Sequence, residues 1–210
     1  GILVIFSVIM AFVLKLQGLT DTWGNAFLIG GFEMLSCAST TGMTIADSSN
    51  FPFFLSLLMM LSGTVCGMMG STTGGIKSDR MVLLLKGIRA HLYKVIHPTS
   101  VTEIKYCGKN LDAEDVHQHI LYIVVFGFIW MISVLLTLVC GVDTHNAFIA
   151  TLSSLGNVGP SVGALGTFGN YGLQPFFAKF VYTLDMFLGR IEIYPVFAVF
   201  YLIFDRNKRF

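Results

Sequence analysis

The stretch Gly70-Ser71-Thr72-Thr73-Gly74-Gly75-Ile76-Lys77-Ser78, GSTTGGIKS, admits two very different folds. In a nucleotide-binding α/β domain it would cradle phosphates. That requires a Gly, four residues, then Gly-Lys-Ser/Thr, so that backbone N–H groups wrap the phosphates while the lysine reaches the outer ones. Here Gly70 plus four residues reaches Gly75, but Ile76 intervenes before Lys77 and the spacing is off by one. The loop should also follow a buried strand. Instead it follows FPFFLSLLMMLSGTVCGMM, residues 51–69, a long apolar run without strand punctuation. Nucleotide binding is excluded on both counts, and the stretch reads as a Gly-rich break inside an apolar helix.

Composition identifies the solvent. The chain of 210 residues is 54% hydrophobic and only 12% charged, with mean hydropathy +0.75, whereas a soluble domain carries about 25% charged residues. This is a membrane protein of the all-α class. A net charge of +1 implies no nucleic-acid partner. The four cysteines, Cys37, Cys66, Cys107 and Cys140, show no metal-binding or redox spacing and read as small packing residues. No covalent cofactor is expected. His117 and His119 beside Glu114 and Asp115 read as a solvated helix start in preference to a metal site.

Several apolar segments follow one another. The first, ending near Leu16, is shorter than the about 20 residues a span needs, and it lacks the charged leader and cleavage site of a signal peptide. It reads as a truncated or marginal membrane helix. Residues 53–69 are apolar, and residues 76–93 are helical in pattern but carry Lys77, Arg80, Lys86 and Arg89. A basic linker runs through His119, residues 120–142 form an uninterrupted apolar stretch, and residues 176–204 form another, broken by Gly189-Arg190-Ile191-Glu192.

Between the spans lie two segments too polar and too short to cross, residues 21–38 and 143–155. Each leads into a Gly/Thr/Asn-rich stretch, STTGMT and GNVGPSVG. Aligning Gly42 with Gly159 also matches Leu35 with Leu152 and Ser36 with Ser153, and an Asp-Thr pair precedes each short segment, Asp21-Thr22 and Asp143-Thr144. The chain therefore reads as a diverged repeat of membrane helix, half-length pore helix, filter-like loop and membrane helix. Residues 1–95 form one unit, 96–119 the linker and 120–210 the second. Internal repeats are a recurring way to build transport proteins.

Basic residues set an orientation. No Lys or Arg occurs between Gln17 and Ile76 or between Lys109 and Lys179, whereas the linker is dense in them and the tail ends in DRNKRF. By the positive-inside rule the linker 96–119 and the C-terminus are cytoplasmic, and both polar loops open outward. Non-helical backbone survives at membrane depth only where it is buried in protein or lines a water-filled cavity. Thr40-Thr41-Gly42-Met43 is then a candidate ion filter and Asn157-Val158-Gly159-Pro160 its counterpart, with carbonyl oxygens replacing the water shell of a potassium ion at Thr41, Gly42, Val158 and Gly159. The plainer reading, two ordinary extracellular turns, is disfavoured by the repeat.

These residues carry a family resemblance. FEMLSCASTTGMTIADSSNFP resembles the third pore loop of the Trk/Ktr/HKT potassium transporter superfamily, GMMGSTTGGIKSDR its intramembrane loop, SSLGNVGPSVG its fourth pore loop, and MFLGRIEIYPVF its last membrane helix. The matches span nearly the whole chain in the family's order. Two positions depart: Thr73 stands where the family more often has glycine, and Met43 where phenylalanine often follows the filter glycine.

The resemblance implies a potassium-channel-like pore of four such units in one chain, of which these are the third and fourth. It further implies a multi-pass protein of the plasma (inner) membrane that takes up potassium, a homodimer, and a cytoplasmic nucleotide-binding regulatory subunit, so that nucleotide acts only through that partner. Lipid and the missing N-terminal half of the pore are the other expected partners. It makes Gly70, Ser71, Thr72, Thr73, Gly74, Gly75 and Lys77 the gate loop, and it sets Arg190 against that loop beneath the filter. An arginine inside an apolar span costs at least about 2.5 kcal/mol on insertion scales and needs a polar partner. Asp185 or Glu192 is the structural alternative for that partner, and Lys77 either anchors at the interface or contacts the loop. Rival readings are a sodium-permeable or sodium-coupled transporter of the same superfamily, a non-conducting membrane scaffold, and a nucleotide-driven pump, the last disfavoured by the failed phosphate-loop spacing.

Overall fold

The computed structural model describes residues 2–65, 67–68, 70–71, 73–97, 104–106, 109–111, 113–159, 161, 165–166, 169–191 and 193–204. Helix α1 (Ile2–Leu16) is followed by α2 (Trp23–Ala38), α3 (Phe53–Val65) and α4 (Ser78–Ile96). After a small antiparallel hairpin, β1 (Ile104–Tyr106) with β2 (Lys109–Leu111), come α5 (Ala113–Val139), α6 (Thr144–Gly156), α7 (Phe176–Ile191) and α8 (Ile193–Phe204).

Local chemistry accounts for the ends. Thr22 caps α2, its Oγ1 accepting from the Asn25 N–H at 3.3 Å, and Asp143 caps α6, its carboxylate accepting from the His145 N–H at 3.1 Å. Pro52 and Pro175 stand immediately before α3 and α7, where a missing N–H costs nothing and the carbonyl still accepts the first helical bonds, from Ser56 and Lys179. Pro195 sits in the first turn of α8, where it is likewise tolerated.

Within α5, residues Val116–Val139 form a 24-residue stretch long and apolar enough to cross a membrane, about 36 Å at 1.5 Å per residue. Helices α7 and α8 pass the same test together but are bent by 102°. By contrast α6, with 13 residues, reaches only about 20 Å. The apolar side chains Val124, Phe128, Met131, Leu135 and Val139 face outward along α5, as lipid contact requires. The core gathers Met10 and Leu14 of α1, Met34 of α2, Leu55 and Met59 of α3, Tyr122 of α5, Ile149 and Leu155 of α6 and Ile193 of α8. The C-terminal half of α2 and the whole of α6 contribute most of their residues to this buried interior.

The linker segment carries two structural features. Helix α5 begins at Ala113, so the polar residues read as a helix start form its first turns ahead of the apolar stretch that begins at Ile120. The remainder is not merely solvated chain. The hairpin lies against α4, with Lys86 Nζ donating to the Lys105 carbonyl at 2.6 Å and the Tyr106 hydroxyl donating to Asp79.

Candidate functional site

The two candidate filter segments leave α2 and α6 in the same way. Thr40 N–H donates to the Cys37 carbonyl at 3.0 Å and Thr41 N–H to Ser36 at 3.0 Å. Asn157 N–H donates to Ser154 at 3.1 Å and Val158 N–H to Ser153 at 3.0 Å. With Gly42 aligned to Gly159, these are equivalent bonds. The dihedrals follow suit: φ is +51° at Thr40 and +52° at Asn157, then +74° at Gly42 and +106° at Gly159. A left-handed residue that is not glycine is uncommon, and two at matched positions mark a built conformation. The segments also meet. A Cβ on Gly159 would lie 3.6 Å from Gly42 Cα.

Both candidate segments are tied to their surroundings by side-chain hydrogen bonds. Ser36 Oγ donates to the Met43 carbonyl at 2.5 Å, and Glu33, fully buried, accepts through Oε1 from the N–H groups of Ile45 at 3.0 Å and Ala46 at 3.3 Å. On the second segment, Asn157 Nδ2 donates to the Met186 carbonyl of α7 at 3.0 Å. Thr41, Met43 and Gly159 are exposed, whereas Val158 is buried. Gly63 of α3 sits between the two. A Cβ there would be 2.5 Å from Val158 Cγ2 and 3.0 Å from the Cys37 carbonyl oxygen, so both short helices end against one residue. Beyond the first filter, Asp47 accepts from the Ser49 hydroxyl at 2.5 Å and from its N–H at 2.9 Å, which holds its carboxyl below the ordinary range.

The Gly-rich break between α3 and α4 closes on itself. The Thr64 carbonyl accepts from Ile76 N–H at 2.8 Å and Lys77 N–H at 3.3 Å, and the Gly67 carbonyl accepts from Ser78 N–H at 2.6 Å and its Oγ at 3.0 Å. Chain ends this close make a compact loop of the Ω type. Ser71 N–H donates to Met68 at 3.1 Å, and the hydroxyls of Ser71 and Thr73 are 2.5 Å apart. Gly70 is exposed, Gly74 and Gly75 are buried, and Lys77 is buried with φ +67° rather than extended as an interfacial anchor. Thr72 lies outside the described residues, as do Pro160 and Glu192.

This loop lies against the second filter's helix. A Cβ on Gly74 would stand 2.6 Å from the Gly156 carbonyl oxygen and 3.1 Å from Asn157 Cβ. From the other side, a Cβ on Gly189 would stand 1.9 Å from the Leu155 carbonyl oxygen and 2.7 Å from Asn157 Nδ2. The C-terminal end of α6 is therefore held between the loop and the last turn of α7. Arg190, the next residue, is exposed at that level, where the negative end of the α6 dipole favours a cation. Asp185 is not its neutraliser: it is 2% exposed and accepts from Ser133 Oγ of α5 at 2.7 Å.

Residues 6–210 match the family TrkH, described as a cation transport protein. The chain belongs to the TrkH family. It is accordingly part of a transporter and not an enzyme. This TrkH-family chain is 28% identical to the Trk system potassium uptake protein TrkH of Salmonella typhimurium over 207 residues, 99% of this chain and 42% of that one. It is 34% identical to the protein of the same name from Halomonas elongata over 181 residues, 84% and 36% of the two chains. Its structure is similar to the crystal structure of the potassium transporter TrkH from Vibrio parahaemolyticus, with TM-score 0.83, 29% identity, and coverage of 94% of this chain and 42% of that one. The TrkH-family chain thus spans about two fifths of the length of these relatives.

Two residues of the site had not been singled out in the sequence. Glu33 is one. The other is Arg80, 8% exposed at the loop's exit, whose guanidinium carbon stands 3.7 Å from the Tyr122 ring centroid. Tyr122 in turn meets Tyr194 edge-on at 5.5 Å, so the start of α4 is joined to α5 and α8.

Proposed function

We propose that this chain forms half of a potassium-uptake pathway across the plasma membrane, with units 1–95 and 120–210 each supplying one filter segment and 96–119 the cytoplasmic linker between them. The observation that carries the reading is the matched pair of left-handed residues, Thr40 and Gly42 facing Asn157 and Gly159, behind equivalent helix-end hydrogen bonds. Alternating backbone hand turns successive carbonyl oxygens to one side, and glycine permits it at the second position of each pair. A row of such oxygens replaces the water shell of a potassium ion. The C-terminal ends of α2 and α6, both against Gly63, aim two negative dipole ends at that ion. The naming of the relatives as potassium uptake proteins favours potassium over sodium as substrate.

In this reading the loop through Gly70, Ser71, Thr73, Gly74, Gly75 and Lys77 lies across the path just inside the filter and is the gate, and Arg190 adds a positive barrier at the same level. Two filter segments do not enclose an ion, so the part of the relatives that this chain does not cover completes the ring. A homodimer and a cytoplasmic nucleotide-binding regulator complete the assembly. The test is flux in liposomes carrying the full-length protein: Gly42→Ser and Gly159→Ser each lower the potassium-to-sodium ratio while insertion is retained. An unchanged ratio in both variants overturns the filter.

A further inference from the structure

Glu33 is the one carboxylate of α2, sits in its third turn and is 0% exposed. A buried charge-bearing group in an otherwise apolar half-helix is expensive unless it is used. Its use is visible. Residues 41–47 run on from the filter with no helix or strand, so their backbone N–H groups have no ladder to join and must be satisfied some other way. Glu33 Oε1 takes two of them, from Ile45 and Ala46, while Ser36 one turn further on takes up the Met43 carbonyl. One helix face thus grips the filter segment at three successive points just beyond Gly42. The second carboxylate oxygen, Oε2, is buried with no hydrogen-bond partner among the described residues.

The second unit differs at the position of the carboxylate itself. With Gly42 aligned to Gly159, the position of Glu33 is taken by Ala150, fully buried and without an acceptor. On this segment Asn157 Nδ2 donates to the Met186 carbonyl. Of these two aligned positions, only the first carries a carboxylate.

We propose that Glu33 is a positioning residue for ion selection: its carboxylate fixes the spacing of the first filter segment from behind, without touching the ion. The proposal rests on the filter reading above. Filter carbonyls discriminate between ions of different size only as far as the surrounding protein holds their number and placement. Releasing two N–H groups would let the segment follow a smaller ion.

The experiment measures the potassium-to-sodium flux ratio of the full-length protein in liposomes for Glu33→Ala, Glu33→Asp, Glu33→Gln and, as a control on the filter itself, Gly42→Ser. Loss of the acceptor in Ala, or its withdrawal by one methylene in Asp, lowers the ratio about fivefold or more, as expected when two buried backbone N–H groups lose their acceptor. Gln, whose amide oxygen can accept the same two N–H groups, keeps the ratio within about twofold of the parent. A general packing defect lowers yield and both fluxes together and leaves the ratio alone. Should Ala fail to insert, Asp against Gln decides. A lowered ratio in Gly42→Ser with unchanged ratios in the Glu33 variants overturns the role of Glu33 and leaves the filter standing. Unchanged ratios in all of them overturn both, and a Gln variant as impaired as Ala or Asp overturns the acceptor role.

Discussion

Gly74 and Gly156 are in backbone contact: a Cβ on the first would lie 2.6 Å from the carbonyl oxygen of the second. The Gly-rich loop and the end of the second short helix leave no room for a side chain between them. A methyl group at Gly74 forces one of the two to move. The loop, held at its neck by Thr64 and Gly67, is the part with fewer packing constraints. Overpacking of this kind costs about 1–3 kcal/mol. Gly74→Ala is expected to lower thermal stability in detergent and to raise basal potassium flux, because the displaced loop no longer obstructs the path. Reduced flux in a folded, inserted variant would assign the loop to support.

Much of this was legible before any coordinates. The candidate filter and loop segments stand out because irregular backbone inside an apolar layer needs glycine and hydroxyl residues; GSTTGG supplies them inside an apolar run, and STTGM gains its weight from the repeat in GNVGPSVG. The resemblance to the Trk/Ktr/HKT superfamily made the family legible too. Glu33 could have been noticed as a lone carboxylate in WGNAFLIGGFEMLSCA, but its partners are backbone N–H groups, which no residue pattern encodes. Arg80 was hidden among Lys77, Lys86 and Arg89. Its burial depends on Tyr122, in a helix on the far side of the linker. The closeness of Gly189 to Leu155 is likewise a matter of tertiary packing, although the glycine itself marked the interruption.

Arg80 and Tyr122 connect the loop's exit to its neighbours. A guanidinium stacked on an aromatic ring away from water contributes about 2 kcal/mol. Arg80→Ala and Tyr122→Leu are each expected to lower the melting temperature and to speed proteolysis within the start of α4. The double variant should fall short of the sum because both remove one contact. Arg80→Lys restores only part of the stability, since an ammonium lacks the planar face that stacks on the ring. Full restoration by lysine would show that charge alone matters there.

Gly189, the neighbour of Arg190, and Gly74 of the loop meet the same end of α6 from two sides. If Arg190 and the loop both oppose ion passage in one closed state, their removal overlaps. Arg190→Ala is expected to raise basal flux when introduced alone. In a Gly74→Ala background it should raise flux by a smaller factor. Factors that multiply in full, measured by tracer uptake at matched protein density, would place the two barriers in separate states.

Ser133 and Asp185 supply the most discriminating stability test, because they form a buried hydrogen-bonded pair between α5 and α7. Asp185 Oδ1 accepts from Ser133 Oγ at 2.7 Å, and its other oxygen has no hydrogen-bond partner among the described residues. Removing the hydroxyl leaves the carboxyl with nothing in place of water, at a cost of about 1–3 kcal/mol or more. Removing both partners leaves no stranded polar group, and two apolar side chains of similar shape can be nearly neutral. Ser133→Ala is therefore expected to lower the melting temperature in detergent, whereas Ser133→Ala with Asp185→Leu recovers most of the loss. A double variant worse than Ser133→Ala would mean that Asp185 acts beyond this pair. Flux separates the cases further: a packing pair changes stability and leaves ion selectivity where it was, while a carboxylate used by the transported ion alters both.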